Sequence, residues 1–143
     1  MRSAILAVPL VLLLGACGHF EAMQEAVALD EQANTVMPQN YKPEIISFMR
    51  TYLNDPTQIR GALISDPVIK NIDGNRYIIC LRYNAKKSNG QYAGNKDGIV
   101  TFRQGRLDRM IDGVRDPREN RQIREQCKDV ALKPFPELEH ITR

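Results

Sequence analysis

The chain contains no tryptophan, only two histidines, four phenylalanines and five tyrosines in 143 residues. An aromatic cage or a sugar-stacking platform is therefore not advertised. His19 lies in the tether and His140 near the C-terminus, and neither sits near a strand end with a paired carboxylate. A Ser-His-Asp triad assembles in space rather than in sequence, but no nucleophile-elbow motif is present. Gly90, Gly94 and Gly98 recur at a spacing of four that matches neither a phosphate-binding loop nor a dinucleotide fingerprint. They suit a long turn. Asp108 and Asp112 have arginine neighbours and read as a solvated charged face rather than an acid–base pair. No enzyme and no cofactor are expected, and an unassigned hydrolase is the weakest alternative. Net charge is only +3, too little for a nucleic-acid binder, which needs a strongly basic face.

Long apolar runs are also missing. The most apolar stretch, residues 4–14, is interrupted by Pro9 and falls short of the roughly 20 residues that span a bilayer. It follows Met1-Arg2-Ser3 and leads into Leu14-Gly15-Ala16-Cys17. A cationic start, an apolar core and small residues before a processing point make a secretory signal peptide. Leu14-Gly15-Ala16-Cys17 resembles the lipobox of bacterial lipoproteins. That resemblance implies cleavage before Cys17 and lipidation of its sulfur and new amino group. The alternative is an ordinary signal peptide cleaved elsewhere, with Cys17 discarded or left as a thiol. Each buried CH₂ contributes about 0.8 kcal/mol, and stable anchoring takes two or more chains. Gly18 stands where some lipoproteins carry an inner-membrane retention aspartate, so the resemblance implies an outer-membrane location facing the periplasm.

The organisation expected is a signal peptide over 1–16, a lipidated N-terminus and tether over 17–42, and a globular domain over 43–143. About 127 mature residues fit one domain. Residues 18–34 are rich in Ala, Glu and Gln, good helix formers, and 35–42 reads as an irregular linker. As a flexible coil, this tether would reach roughly 25–30 Å; the alternative is a helix packed on the domain. With Cys17 lipidated, Cys80 and Cys127 remain as a pair in an oxidising compartment. A disulfide there would close a loop of about 47 residues, contributing roughly 4 kcal/mol in the chain-entropy model. Two buried thiols are the alternative. A metal site lacks the usual four ligands.

Periodicity supplies the elements. Pro43 suits a first helical turn, and Ile45, Ile46, Met49, Tyr52 and Leu53 form one amphipathic face. Asn54-Asp55-Pro56 ends it. Strands follow over 58–65, 68–72, 76–85, 98–103 and 106–111. Asp73-Gly74 and Gln104-Gly105 mark tight turns. Tyr77, Ile79, Leu81 and Tyr83 share one face of the strongest strand, and Ile78, Cys80 and Arg82 share the other. Asp116, Pro117 and Glu119 predict a capping box and a helix to about Lys128. Pro134 and Pro136 argue against a helix in the tail, although Leu132, Phe135 and Leu138 can clip onto the sheet. The fold class is α+β, a small antiparallel sheet of three to five strands covered by one or two helices.

Two surfaces are candidate binding sites. The loop over 84–97 is long for a hairpin, and its Lys86, Lys87, Tyr92 and Lys96 suit an anionic or glycan partner. The second surface is an arginine series at multiples of three, with Arg118, Arg121 and Arg124 along one side of the last helix. A guanidinium fork matches phosphate and carboxylate. Solvated loop and charged face are the plain alternatives, since Arg115–Glu119 and Arg121–Glu125 are ordinary i, i+4 pairs. The stretch 84–94 and residues 134–139 look similar to segments of uncharacterised small exported proteins of Gram-negative bacteria. The expected architecture superficially resembles accessory subunits of outer-membrane protein assembly, an analogy of fold. Together these imply a non-catalytic binding or accessory module of the cell envelope, partnered by the membrane, an envelope protein or anionic lipid. A small anion- or glycan-binding lipoprotein is the alternative.

Replacing Cys17 by Ala is expected to leave the precursor unprocessed or release the protein from membranes. Unchanged membrane pelleting and an unchanged intact mass would contradict the anchor.

Overall fold

A computed structural model describes residues 17–114 and 116–142. The expected signal peptide, with Leu14-Gly15-Ala16, lies outside the described residues, and so does Arg115. The first helix, α1 (Cys17–Asn34), continues through the helix-forming stretch. No helix among the described residues is long and apolar enough to cross a membrane. The chain divides into two compact units between Asp30 and Glu31, and the second holds the sheet.

That second unit takes in residues upstream of the expected start at 43. The Gln104 N–H donates to the Ala33 carbonyl at 2.6 Å, and Asn34 is buried. Gly105, at φ +72°, leaves a gap that Val36 and Met37 occupy; a Cβ there would sit 3.2 Å from the Val36 side chain. The expected linker is thus fastened to a hairpin turn.

Helix α2 (Tyr41–Tyr52) presents Ile45 and Met49 to the core. The strands are β1 (Asp55–Ser65), β2 (Val68–Asn71), β3 (Asn75–Lys86), β4 (Lys96–Arg103), β5 (Arg106–Ile111) and β6 (Leu132–Pro134). They form one antiparallel sheet in the order β5-β4-β3-β1-β6, with β2 paired to β3. The α+β class holds; the sixth strand comes from the proline-bearing tail.

Strand β3 carries the fold. Its Ile79, Leu81, Tyr83 and Ala85 enter one core with Ile45, Met49, Phe135, Leu138 and Ile141. Its Ile78 and Cys80 enter a second core with Ile72, Ile99, Ile111 and Ile123. Successive side chains of a strand point to opposite faces, so α2 and the tail cover one face. Helix α3 (Glu119–Cys127) covers the other. Cys80 and Cys127 lie at disulfide distance, with Cα atoms 6.0 Å apart, inside the usual range.

Strand β1 is irregular. Its register with β3 shifts twice, and Gln58 and Gly61 take positive φ of 57° and 59°. The chain thereby keeps Ile59, Ala62 and Ile64 buried despite uneven spacing, as a bulge does. The tail answers the bulge. Ala62 donates its N–H to Glu139 at 2.8 Å and accepts from the Phe135 N–H at 2.8 Å. Against expectation, the tail contains a helical turn, α4 (Pro136–Glu139). Pro136 stands at its start, where a missing N–H costs nothing.

The predicted capping box is modified. Asp116 accepts from the Arg118 N–H at 2.9 Å, but Glu119 reaches back to Gly113 at 3.1 Å rather than to Asp116. Glu44 of α2 accepts from the Leu107 N–H at 2.7 Å and pairs with Arg106 at 2.8 Å, tying α2 to the edge strand β5.

The sulfur pair is 47 residues apart, so removing it by Cys127→Ala is expected to lower unfolding free energy by about 4 kcal/mol. Urea denaturation checks this; an unchanged midpoint would place no link between α3 and β3.

Candidate functional site

Both apolar stripes on the α2 face carry a tyrosine near their C-terminal end. Tyr52 follows Ile45 and Met49 on the helix, and Tyr83 follows Ile79 and Leu81 on the strand. Both tyrosines line one cleft of about 540 Å³. Its lining comes from the end of α2 (Tyr52, Leu53, Asn54), the end of β3 (Tyr83, Ala85, Lys86), the loop (Lys87, Ser88, Ala93), Lys96, and Asp112 with Val114. The volume falls in the range of about 300–1,000 Å³ usual for small-molecule sites.

The floor is polar but tightly arranged. The Tyr52 hydroxyl donates to Asp112 Oδ2, and the Val114 N–H donates to Asp112 Oδ1 at 3.0 Å. Both oxygens of Asp112 therefore accept hydrogen bonds at the exposed surface. Tyr83 is only 1 % exposed, and no hydrogen-bond partner for its hydroxyl exists among the described residues. Burial, then the nearby Tyr52 and Asp112, pushes the Tyr83 phenol well above the ordinary tyrosine value. It remains a hydrogen-bond donor throughout the neutral range.

The rim is cationic. Lys96 stands directly across the β3–β4 ladder from Tyr83, so both side chains share a face. The loop over 87–95 is well bonded internally. Lys87 donates its N–H to the Gln91 carbonyl at 2.8 Å and accepts from the Gly90 N–H at 2.9 Å, and Ala93 donates to Ala85 at 3.0 Å. Gly94 donates to Asn84 Oδ1 at 3.0 Å. Lys87 and Lys96 make no ion pair with any described residue.

Of the residues expected in this loop, Lys86, Lys87 and Lys96 line the cleft, and Tyr92 does not. Tyr92 is a fastening: its hydroxyl donates to the Gln58 carbonyl at 2.8 Å, and its ring lies 4.1 Å from the Arg60 guanidinium. Lys86 bonds Gln58 and lies 5.6 Å from the same ring, so its ammonium is partly committed there.

The arginine series is dispersed. Arg106 pairs with Glu44 and Arg109 with Asp73. Arg118 pairs with its neighbour Asp116 at 2.8 Å, and Arg121 is exposed. Arg124 lines a smaller cavity of about 330 Å³ beside the sulfur pair, with Lys128 and the Arg82–Asp97 ion pair. None of Arg118, Arg121 and Arg124 lines the lysine cleft. No group of three metal-ligating side chains occurs among the described residues.

Sequence reading missed Tyr52, Tyr83 and Asp112. The available signal was that two separate apolar stripes each carry a tyrosine near their C-terminal end.

A phenol whose folded value is raised holds its proton after the unfolded chain has released it, near pH 10. The resulting stability is present below that pH and falls above it. Tyr83→Phe is therefore expected to flatten the alkaline loss of stability, read by thermal melts across pH; identical alkaline slopes would contradict the buried phenol. No protein family, curated protein or solved structure matches the chain.

Proposed function

We propose that the chain is a lipid-anchored, periplasm-facing module of the outer membrane that binds an anionic group of another envelope component without catalysis. The resemblance of Leu14-Gly15-Ala16-Cys17 to a lipobox supports the anchor, and Gly18 supports the outer-membrane location. The observation that carries the binding reading is the concave cleft with Lys87 and Lys96 at its rim and no ion-pair partner for either among the described residues. Ammonium groups presented around a concavity raise the local concentration of anions. A non-catalytic role is supported by Asp112, whose two oxygens already accept hydrogen bonds and which is therefore poorly placed as a base. An anion carried by lipid, by protein or by glycan would satisfy the same charges.

A photoreactive residue placed at Ser88, in the cleft wall, tests this in living cells. An envelope adduct is expected that Lys87→Glu with Lys96→Glu removes. Adducts unaffected by charge reversal, or none, would overturn the reading.

A further inference from the structure

The chain enters the sheet-bearing unit at one end, and the cleft opens at the other. Entry is at the β4–β5 turn, where the Gln104 N–H donates to the Ala33 carbonyl and Val36 and Met37 pack against Gly105. The cleft takes Lys96 from the far end of β4, and Asp112 and Val114 from just beyond β5. Strand β4 runs Lys96–Arg103, so at roughly 3.3 Å per residue the cleft lies about 25 Å from the point of entry. Helix α2 spans the same interval. Glu44, near its start, bonds Leu107 and Arg106 beside the turn. Tyr52, at its end, bonds Asp112. The 12 residues of α2 cover about 18 Å.

A lipid on Cys17 therefore restrains the end of the unit away from the cleft. Only residues 17–30 separate that sulfur from the unit that begins at Glu31, a reach of about 20 Å as a helix. The entry end stays near the bilayer, and the cleft stands off by the further length of the sheet. Residues 17–41 contain Glu21, Glu25, Asp30 and Glu31 and no lysine or arginine, so charge does not draw this segment down onto an anionic lipid surface.

The cleft's own surface describes what it meets instead. Lys87 and Lys96 have no ion-pair partner among the described residues. The same cleft has an aliphatic wall that includes Leu53 and Val114, and Val114 is 59 % exposed. Ammonium groups beside exposed aliphatic carbon match a chain that carries carboxylates and apolar side chains together. The volume of about 540 Å³ accommodates several such side chains.

We propose that the cleft faces away from the bilayer that anchors the chain and binds, in trans, an acidic segment of another protein, with its carboxylates on Lys87 and Lys96 and its aliphatic side chains on the Leu53 and Val114 wall. This rests on the anchored, anion-binding reading above and names its partner.

The lipidated full chain in phosphatidylcholine vesicles tests both halves. A fluorescent amino acid is placed at Gln39, near the entry, or at Ser88, in the cleft wall, both exposed. Energy transfer to an acceptor on the lipid headgroups is expected to be greater from Gln39. Equal transfer, or more from Ser88, would overturn the outward orientation. An octapeptide alternating glutamate and leucine is expected to bind about tenfold tighter than one alternating lysine and leucine or one alternating glutamate and serine. Lys87→Glu with Lys96→Glu should remove the preference for glutamate, and Val114→Asp should weaken the glutamate–leucine peptide about tenfold. Indifference to these changes, or equal binding of the three peptides, would overturn the acidic segment. Capture of phosphatidylglycerol vesicles through the same lysines would overturn it in favour of lipid. A charge-dependent Ser88 adduct formed on lipid would likewise reject this partner and keep the anion reading, whereas a charge-independent adduct would remove both.

Discussion

Strand β3 is covered on both faces, and most of the architecture answers that one demand. A strand alternates its side chains, so Ile79, Leu81 and Tyr83 require one apolar layer and Ile78 and Cys80 require another. Each fully buried Ile or Leu side chain contributes about 1.5–3 kcal/mol, so leaving either face open would cost several times the worth of any surface ion pair. The chain supplies α2 with the tail on one side and α3 on the other. Helix α3 is short and buries only Ile123 as a fully covered apolar residue. A helix of nine residues is marginal by itself. The Cys80–Cys127 contact gives this thin layer a fixed point on the central strand.

The opposite layer is secured by backbone groups. A bulge leaves polar groups unpaired, and buried ones must find partners. At Ala62 both partners come from the tail, through Glu139 and Phe135. The irregularity of β1 thereby becomes the docking point of the last residues. The exposed margins are handled in a related way. Glu44 occupies the Leu107 N–H on edge strand β5, and Pro134 lies in β6 at the other edge, two devices that discourage strand addition.

Local pattern made most of the fold legible. The helix over 41–52 and the strands in 58–65, 76–85 and 106–111 follow from period 3.6 and period 2 within short windows. The tail was not legible for a physical reason. Its strand pairs with a bulged partner far away in sequence, and its helical turn begins with the proline that argued against it. The candidate site divides similarly. The lysines of 84–97 stand out because charge in a long loop is visible locally. Tyr52, Tyr83 and Asp112 each have an adequate local explanation, as core or as surface, and acquire another only when the sheet brings them together. Tyr92 shows the reverse error: a residue that reads as a ligand contact serves to fasten the loop.

That fastening bears on the strength of any binding at the cleft. A flexible loop would have to be ordered on association, at about 0.5–1.5 kcal/mol for each long side chain immobilised. Here the loop backbone is held before a ligand arrives, by Tyr92 on Gln58, by Gly94 on Asn84 and by the Lys87–Gly90 turn. Asp112 is likewise fixed by two donors from different elements. What remains to be ordered is the ends of Lys87 and Lys96, whose charges act over several ångströms and tolerate small misplacements.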